Sequence, residues 1–477
     1  MYSSILAKLD QARLNRNHFK MIFAAVLGDM LEFFDYFIMG FVLAFIIVPW
    51  KLNYLESSII LLSAGIGAML GSFVFGMLAD RFGRRNIMII TILTFSLASG
   101  AMYFTPEGWW GYLTLFRFIV GFGVGGLYSV SLTLIQEVVP SRYRGRISGI
   151  VTAFIPIGSL MGSLSAGYLS DIVGWRGLFL LTLLPALLVI FIRISWVPES
   201  PRWLLSRGKY DEAIKTVSRF TYLDEQDKKT LHNSKPISLK TKSKTRFLDV
   251  FKYPRSLIVS WGVNLGSQTA YYGIGLWGPA ILALVLKLSP TEAAKMYIFV
   301  SLGGFVGRWF FSFISEWLGR KATGFITCVA GGILTILAGI FHSSFIGGTS
   351  VMWLLLIATY FFIDGAFTIV GPYSSEVWPS HIRATGMGSA YGFGGLGKII
   401  GPLGLALIAG ATNVVSPKAT IDAVVPAFIF LGSLVIIGGI LFLFGHETNK
   451  RSIEEIDAMV MKGKGQKEPA AVTESSF

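Results

Sequence analysis

The sequence predicts an all-α membrane protein in which twelve transmembrane helices form two similar six-helix bundles. Hydrophobic residues make up 53% of the chain and charged residues only 14%, whereas an ordinary soluble domain carries roughly 25% charged residues. The apolar residues fall in blocks long enough to cross about 30 Å of hydrocarbon. Two motifs of the first half return in the same order in the second half. No polar stretch is long enough to form a separate soluble domain.

Hydropathy and the distribution of positive charge give the order and the orientation of the spans. Thirteen Lys and Arg residues flank one set of span ends and five flank the other, so we expect both termini in the cytoplasm and the protein in the plasma membrane. The predicted spans are 21–48, 56–79, 87–104, 110–136, 147–170, 177–196, 256–286, 291–315, 322–342, 350–375, 385–411 and 423–445.

The polar segments divide the chain into five parts. We expect a cytoplasmic arm (1–20), an N-terminal six-helix bundle (21–196), a cytoplasmic linker (197–255), a C-terminal six-helix bundle (256–445) and a cytoplasmic tail (446–477). The arm shows no cleavage site for a signal peptide. The net charge of +14 gathers in loops and tails, which favours anionic lipid over nucleic acid as a partner. A single cysteine, Cys328, excludes an intramolecular disulfide.

The two halves repeat each other. GMLADRFGRR (76–85) returns as SFISEWLGRK (312–321), and QEVVPSRYRGRISG (136–149) returns as SEVWPSHIRATGMG (375–388). PESPRWLL (198–205) has a weaker counterpart in HETNKRSIEEI (446–456). A duplication of this kind predicts two bundles related by an axis along the membrane normal, with a central site that opens alternately to either side.

On these motifs the chain resembles the major facilitator superfamily over essentially its whole length. More narrowly, it is similar to the sugar porters and related organic-solute:proton symporters. The resemblance implies a monomeric secondary active transporter that moves a small polar solute by alternating access, coupled to proton symport, with no cofactor and no metal. An uncoupled facilitative carrier and a non-transporting sensor on the same fold are the alternatives. No nucleophile–base pair, metal cluster or P-loop favours an enzyme.

The resemblance also implies a gate of charged residues that closes the cytoplasmic side in the outward-open state. The alternative is that its arginines only fix the orientation in the membrane, although orientation would not require the acids that recur in both halves. The gate residues are Asp80, Arg84, Glu137, Arg144, Glu199 and Arg202 in the first half and Glu316, Arg320, Glu376 and Arg383 in the second.

Three acids stand inside the first span, in GDMLEFFDYF (28–37). A charge at the bilayer centre costs about 2.5–3.5 kcal/mol on insertion scales, so Asp29, Glu32 and Asp35 should face protein or water. Steps of three residues keep them on one side of the helix, which we expect to face the central cavity or the fourth span. The resemblance implies that Asp35 and Arg117 form a proton-coupling pair, with Glu32 and Asp29 as further candidates. A purely structural salt bridge is the alternative.

The substrate remains open between a sugar, an organic acid and an aromatic carboxylate. The residues that match the sugar-porter site are incomplete, because Ser159 and Gly371 stand where a glutamine and a tryptophan are expected. Lys398 and Arg308 could neutralise an acid, and Arg308 could instead belong to the gate. Asp364 is open between a cavity residue and a packing residue. The candidate substrate-binding residues are Ser159, Asn264, Gln268, Tyr271, Tyr272, Trp277, Asp364 and Lys398.

Overall fold

The computed structural model describes residues 2–223, 247–379, 382–449, 451 and 453–462. A 3-10 helix, Phe247–Lys252, precedes the helix that begins at Pro254, and a hairpin of two short strands, β1 (Phe345–Ile346) and β2 (Thr349–Ser350), precedes the helix that begins at Val351. The α-helices are α1 (Tyr2–Gln11), α2 (Arg16–Ile46), α3 (Tyr54–Phe82), α4 (Arg84–Met102), α5 (Trp110–Val138), α6 (Ser141–Ala153), α7 (Ile155–Tyr168), α8 (Ser170–Trp196), α9 (Pro201–Ser206), α10 (Tyr210–Ser218), α11 (Pro254–Leu286), α12 (Pro290–Leu318), α13 (Arg320–Ile340), α14 (Val351–Glu376), α15 (Arg383–Gly395), α16 (Gly397–Ile408), α17 (Pro417–Phe444) and α18 (Ile453–Lys462).

The twelve-span architecture predicted from the sequence is confirmed. Eleven helical segments within the described ranges are long and apolar enough to cross a membrane. The remaining span is α2, whose apolar run is interrupted by three acids. The fifth span consists of α6 and α7, and the eleventh consists of α15 and α16. Since the number of spans is even, the segments before the first span and after the last span lie at one membrane face, here named the terminal face. The other is named the opposite face.

Local sequence signals fix where several spans begin and break. Asn53 caps α3 by accepting from the backbone N–H of Glu56, whose carboxylate accepts from the N–H of Asn53 in return. Ser289 and Glu292 form the same reciprocal cap at α12. Pro156 has no N–H to donate to the carbonyl four residues earlier, and the fifth span breaks beside it, between α6 and α7.

Glycines allow the second span to pack closely on the fourth, and the repeat carries this packing into the second half. A Cβ atom at Gly67 would overlap the backbone of Phe118. The equivalent contact in the second half is Gly303 against Ile357. Gly303 lies 236 residues after Gly67, and Ile357 lies 239 residues after Phe118. The same offsets relate the loop motifs of the two halves, so the internal repeat extends into the helix contacts. Small residues at helix interfaces are the usual means of close approach in membranes.

The two halves meet mainly at three pairs of helices: α2 with α11, α3 with α16, and α7 with α12. At the opposite face the halves are also joined through their backbones. The N–H of Tyr54 donates to Asn413, that of Leu55 donates to Ala411, and that of Val415 donates to Leu52, at 2.9–3.1 Å. No other backbone hydrogen bond links the halves within the described residues. The opposite face is therefore closed in this structure.

The packing of the first half predicts different effects for two glycines of α3. Gly67→Ala places a methyl group against the Phe118 backbone and should lower the free energy of unfolding by about 1–3 kcal/mol. Gly76→Ala is the matched control, since a Cβ there meets nothing within 4 Å. Thermal unfolding of the detergent-solubilised protein, followed by tryptophan fluorescence, measures the difference. Equal stability of the two variants would contradict the packing described here.

Candidate functional site

A cavity of about 440 Å³ lies between the two halves. Its walls come from α2, α3 and α5 of the first half and from α15 and α16 of the second. Most of the lining positions belong to the segments of these helices that run toward the terminal face, so the cavity extends toward that face. The lining residues are Glu32, Phe33, Gly65, Ala68, Met69, Ser72, Phe73, Val124, Gly125, Thr133, Met387, Gly388, Tyr391, Gly392, Gly395 and Lys398.

Lys398 brings a positive charge to this cavity. Its Nζ atom lies 4.8 Å from the ring centroid of Tyr272 and 5.5 Å from that of Tyr36, within the range of cation–π attraction. The lysine Cβ passes close to Gly65, where any side chain would collide with it. The absence of a side chain at Gly65 and the two rings therefore set the position of the ammonium group, where it can meet a negative group in the cavity.

The three acids of the first span lie in three different surroundings. Glu32 lines the cavity, and its Oε2 atom has no hydrogen-bond partner among the described residues. Asp29 lies one turn nearer the terminal face and interacts electrostatically with Arg193 of α8. Asp35 is fully buried and accepts a hydrogen bond of 2.5 Å from Ser99 of α4. The sequence analysis expected all three acids on one side of the helix. The structure instead directs them toward different neighbours, because each three-residue step leaves about 60° of rotation.

Arg117 contacts the backbone beside Asp35 and not its carboxylate. The guanidinium Nη1 donates to the carbonyl oxygen of Asp35, and Nη2 donates to that of Tyr36, both at 2.9 Å. The direct ion pair expected from the sequence is thus not formed in this structure. The reason is that the Asp35 carboxylate turns toward Ser99, while two N–H groups of Arg117 donate to backbone carbonyl oxygens of α2.

Arg193 was missed by the sequence analysis. It is fully buried in α8, and its Nε donates to the carbonyl oxygen of Ala24 at 3.2 Å. Its guanidinium occupies the space that a side chain at position 28 would fill, so Gly28 makes room for it. The signal was available, because Arg193 is a charged residue inside the sixth span, the feature that singled out Arg117.

Of the predicted substrate-binding residues, only Lys398 lines the cavity. The Asn264 amide donates to the hydroxyl of Ser374 at 2.6 Å, which keeps it within the second half. Trp277 packs against Tyr54 beneath the closed opposite face, with ring centroids 5.8 Å apart. The Gln268 amide has no hydrogen-bond partner in the described part of the chain. Those outside the lining are all buried: Ser159, Asn264, Gln268, Tyr271, Tyr272, Trp277 and Asp364.

The repeat shows that the charges at the cavity belong to one half of the symmetry only. The offset of 236 residues that relates Asp80 to Glu316 places Gln268 at the position equivalent to Glu32. The offset of 239 residues that relates Glu137 to Glu376 places Ser159 at the position equivalent to Lys398. Ser159 meets Ser301 across the halves at 3.1 Å, just as Lys398 meets Gly65. The helices are therefore duplicated, but the charges of Glu32 and Lys398 have no charged counterparts at the equivalent positions.

A buried ion pair links the second half to the broken fifth span. Arg308 Nη2 lies 2.8 Å from Asp364 Oδ1, and both side chains are buried. Nη1 donates at 2.7 Å to the carbonyl oxygen of Thr152, in the first half. That oxygen lacks its usual helical donor because the residue four positions later is Pro156. Asp364 is therefore a packing residue in this structure, and Arg308 belongs to neither the cavity lining nor the loop clusters.

At the terminal face of the first half, three predicted gate residues form one cluster: Arg84, Glu137 and Glu199. A carboxylate oxygen of Asp80 lies 3.7 Å from the Arg84 side chain. Arg84 forms an ion pair with Glu137. Glu199 accepts hydrogen bonds from the backbone N–H groups of Arg84, at 2.8 Å, and Arg85. Ser200 donates to Glu137. These contacts tie the loop after α3 to the end of α5 and to the segment that follows α8.

The second half repeats this cluster with one residue that the sequence analysis did not assign to the gate, Glu447. Its carboxylate accepts from the N–H groups of Arg320, at 3.0 Å, and Lys321, at 3.1 Å. Thr448 donates to Glu376, which lies 3.8 Å from the Arg320 side chain. Burial acts to raise the pKa of Glu447, but its backbone N–H donors outweigh burial and lower that pKa. Glu447 thus corresponds to Glu199, as the weak HETN match indicated.

The remaining predicted gate residues make different contacts. The Arg202 side chain lies 3.9 Å from Asp10 in α1. The carbonyl oxygen of Glu316 accepts a hydrogen bond from the Asn449 side chain. The Arg383 side chain donates to the carbonyl oxygen of Trp378. The side chain of Arg144 is outside what the structure describes. Within the described residues, no ion pair joins the cluster of one half to that of the other.

Comparison with known proteins gives a consistent set of similarities. Residues 20–460 match the family model described as Sugar (and other) transporter. The chain is 30% identical to the niacin transporter NiaP of Acinetobacter baylyi, over 95% of this chain and 99% of that protein. It is 27% identical to the cis,cis-muconate transport protein of the same organism, over 85% and 91%. A partially occluded inward-open structure of the xylose transporter XylE from E. coli superposes with a TM-score of 0.69, at 20% identity, covering 92% of this chain and 100% of that one.

The ion pair between Arg308 and Asp364 predicts a large loss of stability when one partner is removed. Arg308→Gln leaves a buried carboxylate without its counter-charge and should lower the free energy of unfolding by about 3–5 kcal/mol. The double variant Arg308→Gln/Asp364→Asn should recover much of that loss, because no unpaired charge remains. Thermal unfolding in detergent compares the variants. A double variant no more stable than the single one would show that the pair is not what stabilises this region.

Proposed function

The chain belongs to the Sugar (and other) transporter family, and from that premise we propose that it imports a small organic acid by proton-coupled alternating access. The family and its relatives are transporters and not enzymes. Transport by a multi-pass membrane protein is therefore the established part. The substrate class, the coupling to protons and the direction are the proposed part.

The observation that carries the choice of an organic acid is the position of Lys398. A cationic side chain lies over two aromatic rings in the cavity between the halves. An ammonium group attracts a carboxylate, and the aromatic lining residues Phe33, Phe73 and Tyr391 offer faces to a planar substrate. Two similar proteins, the niacin transporter and the cis,cis-muconate transport protein, are named for carboxylate-bearing substrates. Pockets of this kind are apolar with a few polar groups that fix the orientation of the ligand.

The alternating-access part of the proposal rests on the contacts between the halves. Backbone hydrogen bonds close the opposite face, whereas the cavity extends toward the terminal face. We assign the terminal face to the cytoplasm, in agreement with its excess of Lys and Arg, and the protein to the plasma membrane. The two charged clusters would then each brace one half at the cytoplasmic side while the halves rock.

The proton-coupling part rests on the acids of the first span. Buried carboxylates in membrane spans mark ion and proton pathways in many transporters. Asp35 with Arg117, and Glu32 with Asp29, remain the candidates that the sequence put forward. An uncoupled carrier would need none of them to change its protonation state during the cycle.

A sugar is the second candidate, and one observation favours it. The Gln268 amide is buried without a hydrogen-bond partner in the described ranges, as expected of a group that binds a hydroxyl-rich ligand. Against this, Gln268 does not line the cavity in this conformation. The same experiment decides between the two substrate classes.

Uptake into proteoliposomes tests the proposal. Nicotinate, benzoate, cis,cis-muconate, xylose and glucose are offered as radiolabelled solutes, with and without an inward proton gradient. We expect a carboxylate to accumulate only with the gradient, because the gradient drives its concentration above equilibrium. Lys398→Gln should reduce that uptake at least about a hundredfold, the scale of a lost buried charge contact. Lys418→Gln, a lysine exposed outside the cavity, is the control.

Two results would contradict the proposal. Accumulation of xylose or glucose alone would assign the cavity to a sugar. Equal carboxylate uptake with and without the proton gradient would identify an uncoupled carrier.

A further inference from the structure

Glu32 is the one acid of the first span that combines burial with access to the cavity. Its side chain lines the cavity, although the residue is only 4% exposed. Its Oε2 atom has no hydrogen-bond partner among the residues that the structure describes. A buried carboxylate oxygen without a partner is costly when ionised, unless a positive charge or a proton compensates it.

The groups that face Glu32 come from four helices. Asp29 and Tyr36 share α2 with it, Arg193 approaches from α8, Tyr272 from α11 and Lys398 from α16. Arg193 also interacts electrostatically with Asp29, and it donates a hydrogen bond to the backbone of α2. Lys398 lines the same cavity as Glu32 and lies in the opposite half of the protein. Lys398 is therefore the positive group whose relation to Glu32 can change when the halves move.

Asp35 lacks these properties. It is 0% exposed, it is outside the cavity lining, and its carboxylate accepts a short hydrogen bond from Ser99. Ser99 in turn lies 2.8 Å from the hydroxyl of Thr182, so this network ties α2 to α4 and α8. All of these groups belong to the first half. A network confined to one half has no part that must change when the two halves move as rigid bodies.

We propose that Glu32 carries the coupled proton and that Glu32 and the carboxylate of the transported acid compete for Lys398. This inference rests on the proposed function, since it needs an acidic substrate. The competition would explain why the repeat places Gln268 and Ser159 at the two equivalent positions. Transport of one proton with one anion requires one carboxyl group that binds the proton and one ammonium group that binds the anion, not two of each.

The cycle balances in charge. At the outer side a proton from water binds the Glu32 carboxylate and converts it to a carboxylic acid. Lys398 is then free to bind the substrate carboxylate, so the site keeps the same net charge. At the inner side the anion leaves, Glu32 returns its proton to water, and its carboxylate again faces the ammonium group of Lys398. Each turn moves one proton and one monovalent anion together.

Binding of nicotinate as a function of pH tests the competition. In the wild type the affinity should rise by up to about tenfold per pH unit as the pH falls, the slope of one linked proton. Between about pH 8 and about pH 6 an ordinary carboxylic acid is itself ionised, so the slope belongs to the protein. Glu32→Gln should bind with the same affinity at both values, at least as tightly as the wild type does at the lower pH. A misfolded variant could not give tighter binding.

Transport provides the second readout. Glu32→Gln should exchange nicotinate across the membrane at equal pH but lose accumulation driven by the proton gradient. Glu32→Asp should restore part of that accumulation, because a titratable group returns. Glu212→Gln is the matched control, a carboxylate-to-amide change at an exposed position whose ion pair with Lys209 is a local surface contact.

Three outcomes are distinguishable. If the wild type binds none of the carboxylates offered, the proposed function fails, and this inference fails with it. If the wild type binds nicotinate but Glu32→Gln keeps the wild-type pH slope, only this inference is overturned. If Glu32→Gln still accumulates nicotinate while Asp35→Asn does not, the coupled proton belongs to Asp35.

Discussion

Ionised side chains in a protein surrounded by hydrocarbon must be compensated, and this constraint organises the structure. A charge at mid-membrane is tolerated when it meets an opposite charge, a set of hydrogen-bonding groups or water. Arg117 donates to backbone carbonyl oxygens of α2, and Arg308 donates to Asp364 and to the carbonyl oxygen of Thr152, which lies four residues before Pro156. Glu32 and Lys398 use neither solution, because they lie at a cavity between the halves. We infer that the charges with hydrogen-bonded partners stabilise the fold and propose that those at the cavity take part in transport.

The duplication explains how such a molecule can move without losing its structure. Each half has its own cluster of loop charges, and the two clusters correspond contact by contact: Glu199 to Glu447, Ser200 to Thr448 and Arg84 to Arg320. Because the described contacts of each cluster stay within one half, a rocking motion need not break them. The contacts that must change are among those between the halves, which include the backbone hydrogen bonds of the opposite face, the Arg308–Thr152 and Ser159–Ser301 hydrogen bonds and the side chains at the cavity.

The sequence predicted the spans, the repeat and most of the acidic and basic residues in the two loop clusters, because these depend on hydropathy and on spacing along the chain. It did not predict which neighbour each acid of α2 faces. Asp29, Glu32 and Asp35 differ in direction by modest rotations, and such rotations are set by packing against α4, α8 and α16. It also missed the role of Arg308, although Pro156 was visible. A proline shows that the carbonyl four residues earlier lacks its usual helical donor, but the guanidinium that reaches this carbonyl comes from the other half of the chain.

The most direct test of the account is the side from which the cavity can be reached. Cys328, the only cysteine of the sequence, is buried, so single cysteines can be introduced at Ser72 in the cavity lining and at Ser58 beneath the closed face. A membrane-impermeant maleimide should label Ser72→Cys from the cytoplasmic side while Ser58→Cys stays protected from outside. Conditions that protect Ser72→Cys should expose Ser58→Cys. Simultaneous labelling of both positions from their respective sides would describe an open channel and would contradict alternating access around this cavity.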